Sequence, residues 1–115
     1  MTSSIKNSVQ LIGNMGKDVQ LASFDNGKKK ATMVLATNDY FTNNMGEKVK
    51  QTEWHNIIAW GKTAEFMAES LKKGSEVAIQ GKLSHRSYED KEGITRYITE
   101  VVVNEFYAIS KNPSV

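Results

Sequence analysis

Apolar and polar residues alternate along several short segments of this chain, and glycine-containing turns separate those segments. Residues 8–12 predict a first strand that ends in a turn over residues 13–16. The triplet Asp25-Asn26-Gly27 favours a tight hairpin turn, because Asn-Gly readily takes the positive φ angles that such a turn requires. Residues 30–41 predict a second long strand, and the polar segment 42–50 predicts a mobile loop after it.

A third strand is predicted over residues 53–60, where a period-2 pattern separates two faces. One face carries Trp54, Asn56, Ile58 and Trp60. The other face carries Glu53, His55, Ile57 and Ala59. We therefore expect the two tryptophans to lie on one side of a sheet.

Helical spacing follows the third strand directly. Apolar residues recur at three- and four-residue intervals at Ala64, Met67, Ala68 and Leu71. Lys72 and Lys73 suit the negative C-terminal end of a helix dipole, and Gly74 is a typical residue just past a helix end. The helix end alone explains these two lysines, and phosphate contact is the other interpretation.

Two more strands are predicted over residues 75–88 and 94–109, joined by a turn at residues 90–93. Five main strands with one helix between the third and the fourth are typical of the OB-fold barrel, so the predicted fold class is all-β. One OB-fold domain is expected over residues 1–110, with a short C-terminal remnant at residues 111–115.

The fourth strand has an apolar face and a basic-aromatic face. Core positions are predicted at Val77, Ile79 and Leu83. The opposite face carries Lys82, Ser84, Arg86 and Tyr88. This pattern is typical of single-stranded nucleic-acid binding, because cations follow the phosphates and exposed rings stack on unpaired bases. From the pattern alone, the aromatic side chains could equally fill the barrel core or a subunit contact.

The formal net charge is only +2, so nucleic-acid binding depends on where the positive charge lies. The lysine run at residues 28–30 could clamp a phosphate, but its position beside a turn favours a solvated tip. No segment approaches the roughly 20 apolar residues of a membrane span, and the polar N-terminus lacks the apolar core of a secretory signal. We expect no membrane association and a cytoplasmic, nucleoid-associated protein.

Catalysis and metal binding have little support in the sequence. The chain has no cysteine, and His55 and His85 lack the spacing of a metal site. The carboxylates are too scattered to hold the divalent cation of a nuclease. His55 shares a face with Ile57, which favours a buried, hydrogen-bonded structural residue or an interface residue. We therefore predict no catalytic residue, no metal and no cofactor, and a protein that is not an enzyme.

Several motifs, in order, resemble the bacterial single-stranded DNA-binding protein family. They are the segments 11–18 (LIGNMGKD), 51–55 (QTEWH), 61–62 (GK), 73–75 (KGS), 81–83 (GKL) and 96–102 (RYITEVV). The resemblance covers about residues 6–103, nearly the whole chain. It implies an OB fold, a homotetramer and sequence-independent binding of single-stranded DNA in DNA replication, repair and recombination.

The resemblance also implies individual roles. Base-stacking rings fall on Phe41, Trp54, Trp60 and Tyr88. Phosphate contacts fall on Lys62, Lys72, Lys73 and Arg86, and we add Lys82 from the basic-aromatic face of the fourth strand. Ser84 stands where the family often has a basic residue, which weakens the expected binding. A subunit contact is implied for His55.

Members of this family typically end in a flexible segment with an acidic tip and a terminal phenylalanine, which recruits replication and repair enzymes. This sequence ends at Val115 without that tip, either because it is trimmed or because it is a short paralogue. Recruitment of such partners through a tail is therefore not expected of this chain. Two competing functions are an OB-fold interaction protein of the primosome type, with a dimer and weak DNA affinity, and a metal-dependent nuclease.

Overall fold

A computed structural model describes residues 5–109 of the chain, apart from the side chain of Ile5. The predicted remnant at residues 111–115 lies outside the described residues. A short 3₁₀ helix at Ile5–Asn7 precedes six strands and one helix. In chain order these are β1 Val9–Met15, β2 Gln20–Ser23, β3 Lys29–Thr42, β4 Lys48–Trp60, α1 Gly61–Ser70, β5 Glu76–Glu89 and β6 Thr95–Ile109.

Five of the strands close into a barrel in the order β1-β5-β6-β4-β3. Closure comes from β1, which pairs with β5 along most of its length and with β3 only at Asn14 and Met15. All pairings are antiparallel except β4 with β6, which is parallel over Asn56–Ile58. The all-β OB-fold prediction is confirmed, including one helix between the third and fourth main strands.

The barrel core is apolar and continuous with the buried side of α1. Its largest fully buried side chains are Met33, Leu35, Ile57, Met67 and Val77. Burial of each such side chain stabilises the fold by about 1.5–3 kcal/mol. Met67 brings α1 into the same cluster, which fixes the helix against the barrel immediately after β4.

Two predicted boundaries were wrong. A turn was expected over residues 13–16, but β1 continues to Met15, because Gly13 and Asn14 still pair with β5. Residues 42–50 were expected to form a loop, but β4 already begins at Lys48, because β3 and β4 pair up to Thr42 and Lys48. The strand before the predicted hairpin turn was not assigned, and the structure shows it as β2, whose four residues are all exposed. The predicted turn at residues 25–27 is present, but only Gly27 has a positive φ, of 84°, and Asn26 does not.

The β3–β4 and β5–β6 hairpins extend beyond the barrel, and burial falls along each of them. Leu83 lies on the extended part of β5 and is 39% exposed, so its assignment to the core was wrong. Strand parity placed it on the core-facing side, but the barrel ends before this position. No helix within residues 5–109 is long and apolar enough to cross a membrane.

Candidate nucleic-acid interface

Three of the four predicted stacking rings lie on the outer face of the sheet, the side turned away from the barrel core. Trp54 and Trp60 share this face of β4 by strand parity. Cross-strand pairing continues the face from Asn56 to Glu100 and from Glu100 to Ser84. Tyr88 follows on the same face of β5. Since paired residues project to the same side of a sheet, the three rings belong to one surface.

All three rings are accessible to a ligand. Trp54 is 62% exposed, Trp60 43% and Tyr88 46%. The interpretation that these side chains fill the barrel core is therefore wrong. Half-exposed rings of this kind present a face on which an unpaired base can stack.

Gly16 supports the ring of Trp54. A Cβ atom added at Gly16 would lie 2.6 Å from Cζ3 of Trp54, well inside van der Waals contact. The ring thus rests directly on the backbone at the end of β1. Ala36, the cross-strand partner of Trp54, is a small residue and leaves the ring free to lie there.

The ring of Trp60 has an aromatic and a cationic neighbour. Phe24 lies with its ring centroid 6.1 Å from that of Trp60, at an interplanar angle of 32°. The ammonium of Lys30, paired with Trp60 across β3 and β4, is 5.4 Å from the ring centroid. Phe24 is itself 47% exposed, and nothing in the sequence pattern had marked it as part of this surface.

The lysine run at residues 28–30 is not simply a solvated tip. Lys29 forms an ion pair with Glu65 of α1 at 3.8 Å, and Lys30 lies over Trp60. Both are half-buried, and only Lys28 is exposed in the turn. The sequence could not separate the three lysines, because their differences arise from a cross-strand partner and from a helix far along the chain.

Arg86 and Tyr88 form a third group on the outer face. The guanidinium carbon of Arg86 is 5.9 Å from the centroid of Tyr88. Arg86 also forms an ion pair with Glu100, whose side chain is only 3% exposed. Hydrogen bonding to Glu100 raises the pKa of Arg86, so the guanidinium stays charged. The predicted phosphate contact therefore has a carboxylate partner within the protein.

The predicted phosphate-binding lysines are exposed and flank the rings. Lys62 lies in the first turn of α1, two residues after Trp60. Lys82 lies on the outer face of β5. Lys72 and Lys73 follow the end of α1. The backbone N–H of Lys73 donates to the carboxylate of Asp18 at 2.8 Å, two residues after Gly16, against which the Trp54 ring lies.

The fourth predicted ring does not join the other three. Phe41 pairs with Val49, and its parity matches the core-facing side of β3 and β4. Beyond the barrel we call the continuation of that side the reverse face. Phe41 is 49% exposed on the reverse face. The neighbouring Tyr40 projects to the outer face instead.

His55 is a half-buried residue on the core-facing side of β4. Its Nε2 atom lies 2.8 Å from the hydroxyl oxygen of Thr37 on the neighbouring strand β3. Strand parity turns it away from the stacking rings. Within residues 5–109, no group of three or more His, Asp or Glu side chains is arranged to hold a metal ion.

A profile of the single-strand binding protein family matches residues 6–109. The chain belongs to this family. The predicted resemblance is thereby confirmed. This family is non-catalytic, so the prediction that the chain is not an enzyme is confirmed as well.

Two solved structures have the same fold. The Plasmodium falciparum SSB in complex with ssDNA aligns with a TM-score of 0.84 and 27% identity, over 96% of this chain and 100% of that chain. A deletion mutant of the single-stranded DNA binding protein from Thermus aquaticus aligns with a TM-score of 0.80 and 23% identity, over 91% of this chain and 51% of that chain. The second similarity concerns the fold alone.

Proposed function

We propose that this chain binds single-stranded DNA without sequence preference, by stacking bases on Trp54, Trp60 and Tyr88. The observation that carries the proposal is the position of these three exposed rings on one outer face of the sheet. Each base–aromatic stack contributes roughly 1–3 kcal/mol and accepts any base. Three stacks therefore contribute more to the binding free energy than a net charge of +2 does.

Phosphate contacts are assigned to the exposed lysines beside the rings, Lys62, Lys72, Lys73 and Lys82. A single strand crossing the outer face passes between these groups, because Lys62 lies at the Trp60 end and Lys73 near Trp54. Lys30 joins them through its contact with Trp60. Arg86 contributes less than its charge implies, since Glu100 already neutralises it.

Self-association to a homotetramer is part of the proposal. Within residues 5–109, the edge of β1 from Val9 to Gly13 that faces away from β5 has no strand partner, and such edges are ready to pair with another chain. Beside it lies an exposed apolar patch, formed by Ile12, Ala78, Tyr107 and Ile109. Ile12 is 63% and Tyr107 71% exposed. Burial of these side chains between subunits favours assembly.

In the cell, the proposed role is to coat and protect exposed strands during DNA replication, repair and recombination, in the cytoplasm near the nucleoid. The complex of the Plasmodium falciparum protein with ssDNA supports the same ligand for this chain. A sequence-tolerant stacking surface suits this role, because it accepts whichever strand becomes exposed.

Titration with oligo-dT, followed by tryptophan fluorescence at two salt concentrations, tests the proposal. We expect Trp54→Ala to lower affinity by about 1–3 kcal/mol, with little dependence on base sequence. Tyr97→Ala is the matched control, because Tyr97 is 83% exposed but pairs with Ser87 on the reverse face. The control variant should bind as the wild type does.

An unchanged affinity of the Trp54→Ala variant would contradict the stacking surface. Weak binding by the wild type, together with a dimeric mass, would instead favour the OB-fold interaction protein. Affinity that decreases with rising salt is expected, because bound phosphates release their counterions.

A further inference from the structure

Three hairpin turns within residues 5–109 have the same backbone pattern. They cover residues 24–28, 43–47 and 90–94. In each turn the N–H of the first residue donates to the carbonyl of the fifth residue. The fourth residue is a glycine with positive φ, and its N–H donates to the carbonyl of the first residue. Because the backbones are equivalent, the turns differ through their side chains.

The turn between β2 and β3 lacks the side chain that holds the other two turns. Asn43 and Asp90, the first residues of those turns, each accept two backbone N–H bonds through Oδ1. Phe24 stands at this position in the β2–β3 turn, and a phenyl ring cannot accept such bonds. One bond of this kind holds the described turn instead, from the N–H of Lys28 to Oδ1 of Asn26 at 3.0 Å. The β2–β3 turn is therefore held less firmly and opens more readily.

This turn contains Asn26, the only asparagine of the sequence that is followed by glycine. Asn26 and Gly27 are both exposed. Apart from the chain neighbours, no atom of residues 5–109 lies within 4 Å of a Cβ built at Gly27. The Gly27 nitrogen can therefore approach the Asn26 carboxamide without obstruction from the surroundings. The hydrogen bond from Lys28 to Oδ1 of Asn26 would stabilise negative charge on that oxygen during attack at Cγ.

We propose that Asn26 is a deamidation site, made reactive by the glycine after it and by the missing side-chain acceptor at Phe24. The hydrogen bond from the Gly27 N–H to the Phe24 carbonyl opens first. The Gly27 nitrogen then loses its proton to hydroxide or a buffer base and forms a bond to Cγ of Asn26. The resulting ring is a succinimide, and the side-chain nitrogen leaves as ammonia.

Water completes the reaction by opening the succinimide ring. Addition at Cγ breaks the new bond to the Gly27 nitrogen and leaves aspartate at position 26. Addition at the main-chain carbonyl carbon breaks the original peptide bond instead and leaves isoaspartate, which adds a methylene group to the main chain. Either route consumes water and releases ammonia, so no oxidant or reductant is needed.

The reaction places a negative charge at the Trp60 end of the outer face. Lys28, Lys29 and Lys30 follow the modified position, and the ammonium of Lys30 lies over the Trp60 ring. Phe24, in the same turn, lies beside that ring. A carboxylate here reduces the attraction of these lysines for phosphates. We infer, on the basis of the proposed function, that deamidation weakens DNA binding at this end of the surface.

Incubation of the full chain at neutral and mildly alkaline pH, followed by mass spectrometry of its peptides, tests the modification. We expect the amide of Asn26 to be replaced by an acid, and faster at higher pH, because base removes the Gly27 proton. Asn43 is the internal control, because it lies in an equivalent turn but is followed by asparagine. Conversion of Asn43 as fast as that of Asn26, or no conversion of Asn26, would overturn the proposal.

Two variants test why Asn26 reacts. Asn26→Gln should stay unmodified at this position, because its longer side chain would have to close a larger ring. Phe24→Asn supplies the acceptor that Asn43 provides in the equivalent turn, so it should slow the conversion of Asn26 several-fold. An unchanged rate in Phe24→Asn would show that the missing acceptor does not make this turn reactive.

Asn26→Asp reproduces the aspartate product for an oligo-dT titration. We expect binding about two- to fivefold weaker than that of the wild type. The slope of log K against log salt should fall by up to about 0.7, the value for one lost phosphate contact on a single strand. Ser87→Asp is the control, because it adds the same charge to an exposed residue of the reverse face. It should bind as the wild type does.

Trp54→Ala separates this inference from the proposed function. Weaker binding in Trp54→Ala with wild-type binding in Asn26→Asp would overturn the effect of deamidation on DNA and leave the proposed function intact. Unchanged binding in Trp54→Ala would contradict the proposed function itself. The peptide masses decide on the deamidation in either case.

Discussion

The guanidinium of Arg86 donates two hydrogen bonds to the carboxylate of Glu100, from Nε to Oε1 at 2.9 Å and from Nη2 to Oε2 at 3.1 Å. Glu100 is buried beneath Arg86, whose own side chain is 45% exposed. Such bidentate pairs fix the orientation of the guanidinium as well as its charge. Glu100 therefore holds the guanidinium at a fixed place near Tyr88 and partly neutralises its charge.

Glu100→Gln should release this charge. The variant keeps a side chain of the same size but removes the carboxylate, so Arg86 becomes available to a phosphate. We expect tighter oligo-dT binding and a salt slope steeper by about 0.7, the value for one additional phosphate contact. Titrations at several salt concentrations measure both quantities.

Glu92→Gln is the control for this prediction, because it removes the same charge from the exposed turn of the β5–β6 hairpin. It should leave the salt slope unchanged. Arg86→Ala, with Glu100 still present, tests the same point. If this variant reduces the slope of log K against log salt by about 0.7, the ion pair does not keep the guanidinium from contacting a DNA phosphate.

Gly16→Ala should disturb Trp54 without disturbing the barrel. The three atoms nearest to the added methyl group all belong to the Trp54 ring, which must shift to make room for it. We expect altered tryptophan emission and a loss of oligo-dT affinity smaller than the roughly 1–3 kcal/mol of a whole stack.

Gly13→Ala provides the contrast on the same strand. A Cβ atom there would overlap the backbone carbonyl of Ala36, which cannot turn away as a side chain can. The variant should therefore lose stability in urea denaturation rather than affinity when folded. Equal loss of stability in Gly16→Ala would show that Gly16 serves the fold and not Trp54.

The parts of this molecule that were predictable from sequence are those that depend on local pattern. Period-2 alternation placed Trp54 and Trp60 on one face, because parity within a strand needs no knowledge of its partner. Parity likewise put Tyr40 and Phe41 on opposite faces of β3, but the unbroken apolar run at residues 33–36 did not show which of the two faces is the core. The burial of Glu100 and the exposure of Leu83 depend on where the barrel ends, which is a property of the assembled sheet.

Asp90 holds the β5–β6 turn through its carboxylate. It accepts hydrogen bonds from Nε of Arg96 at 2.9 Å and from the backbone N–H groups of Ile94 and Glu92. These hydrogen bonds lower the pKa of Asp90 below its ordinary value, and the bond from Arg96 has the largest effect. Because the pKa of Asp90 is lower in the folded state than in the unfolded state, its ionised carboxylate stabilises the fold. This stabilisation is fully present at a pH above the unfolded-state pKa of about 3.9, and it is lost as the pH falls through the folded-state pKa.

Asp90→Asn should therefore be less stable than the wild type at neutral pH, and the difference should shrink as the pH falls below about 3.9. Urea denaturation across this pH range measures it. Asp39→Asn, which changes an exposed aspartate of β3, is the control. A difference that stays constant down to the lowest pH would mean that ionisation of Asp90 does not stabilise the turn.

The apolar patch beside the free edge of β1 provides a prediction about assembly. Ile12→Lys places a charge on the patch next to the free edge of β1, where burial between subunits would leave the ammonium without water. We expect a lower mass in light scattering. Short oligo-dT should still bind each subunit, because Ile12 is on the strand pairing with β5 and not on the β4 surface of Trp54. Ile94→Lys, at another exposed isoleucine, should keep the wild-type mass.

His55→Ala tests a second contribution to the same assembly. His55 bonds to Thr37 within its own chain, so the substitution removes a half-buried side chain and a hydrogen bond between β3 and β4. If His55 also reaches a neighbouring subunit, the variant dissociates at low protein concentration before its stacking affinity changes. A tetramer that persists at low concentration in His55→Ala but dissociates in Ile12→Lys would assign the contact to the β1 patch, and it would leave His55 with a role inside the subunit only.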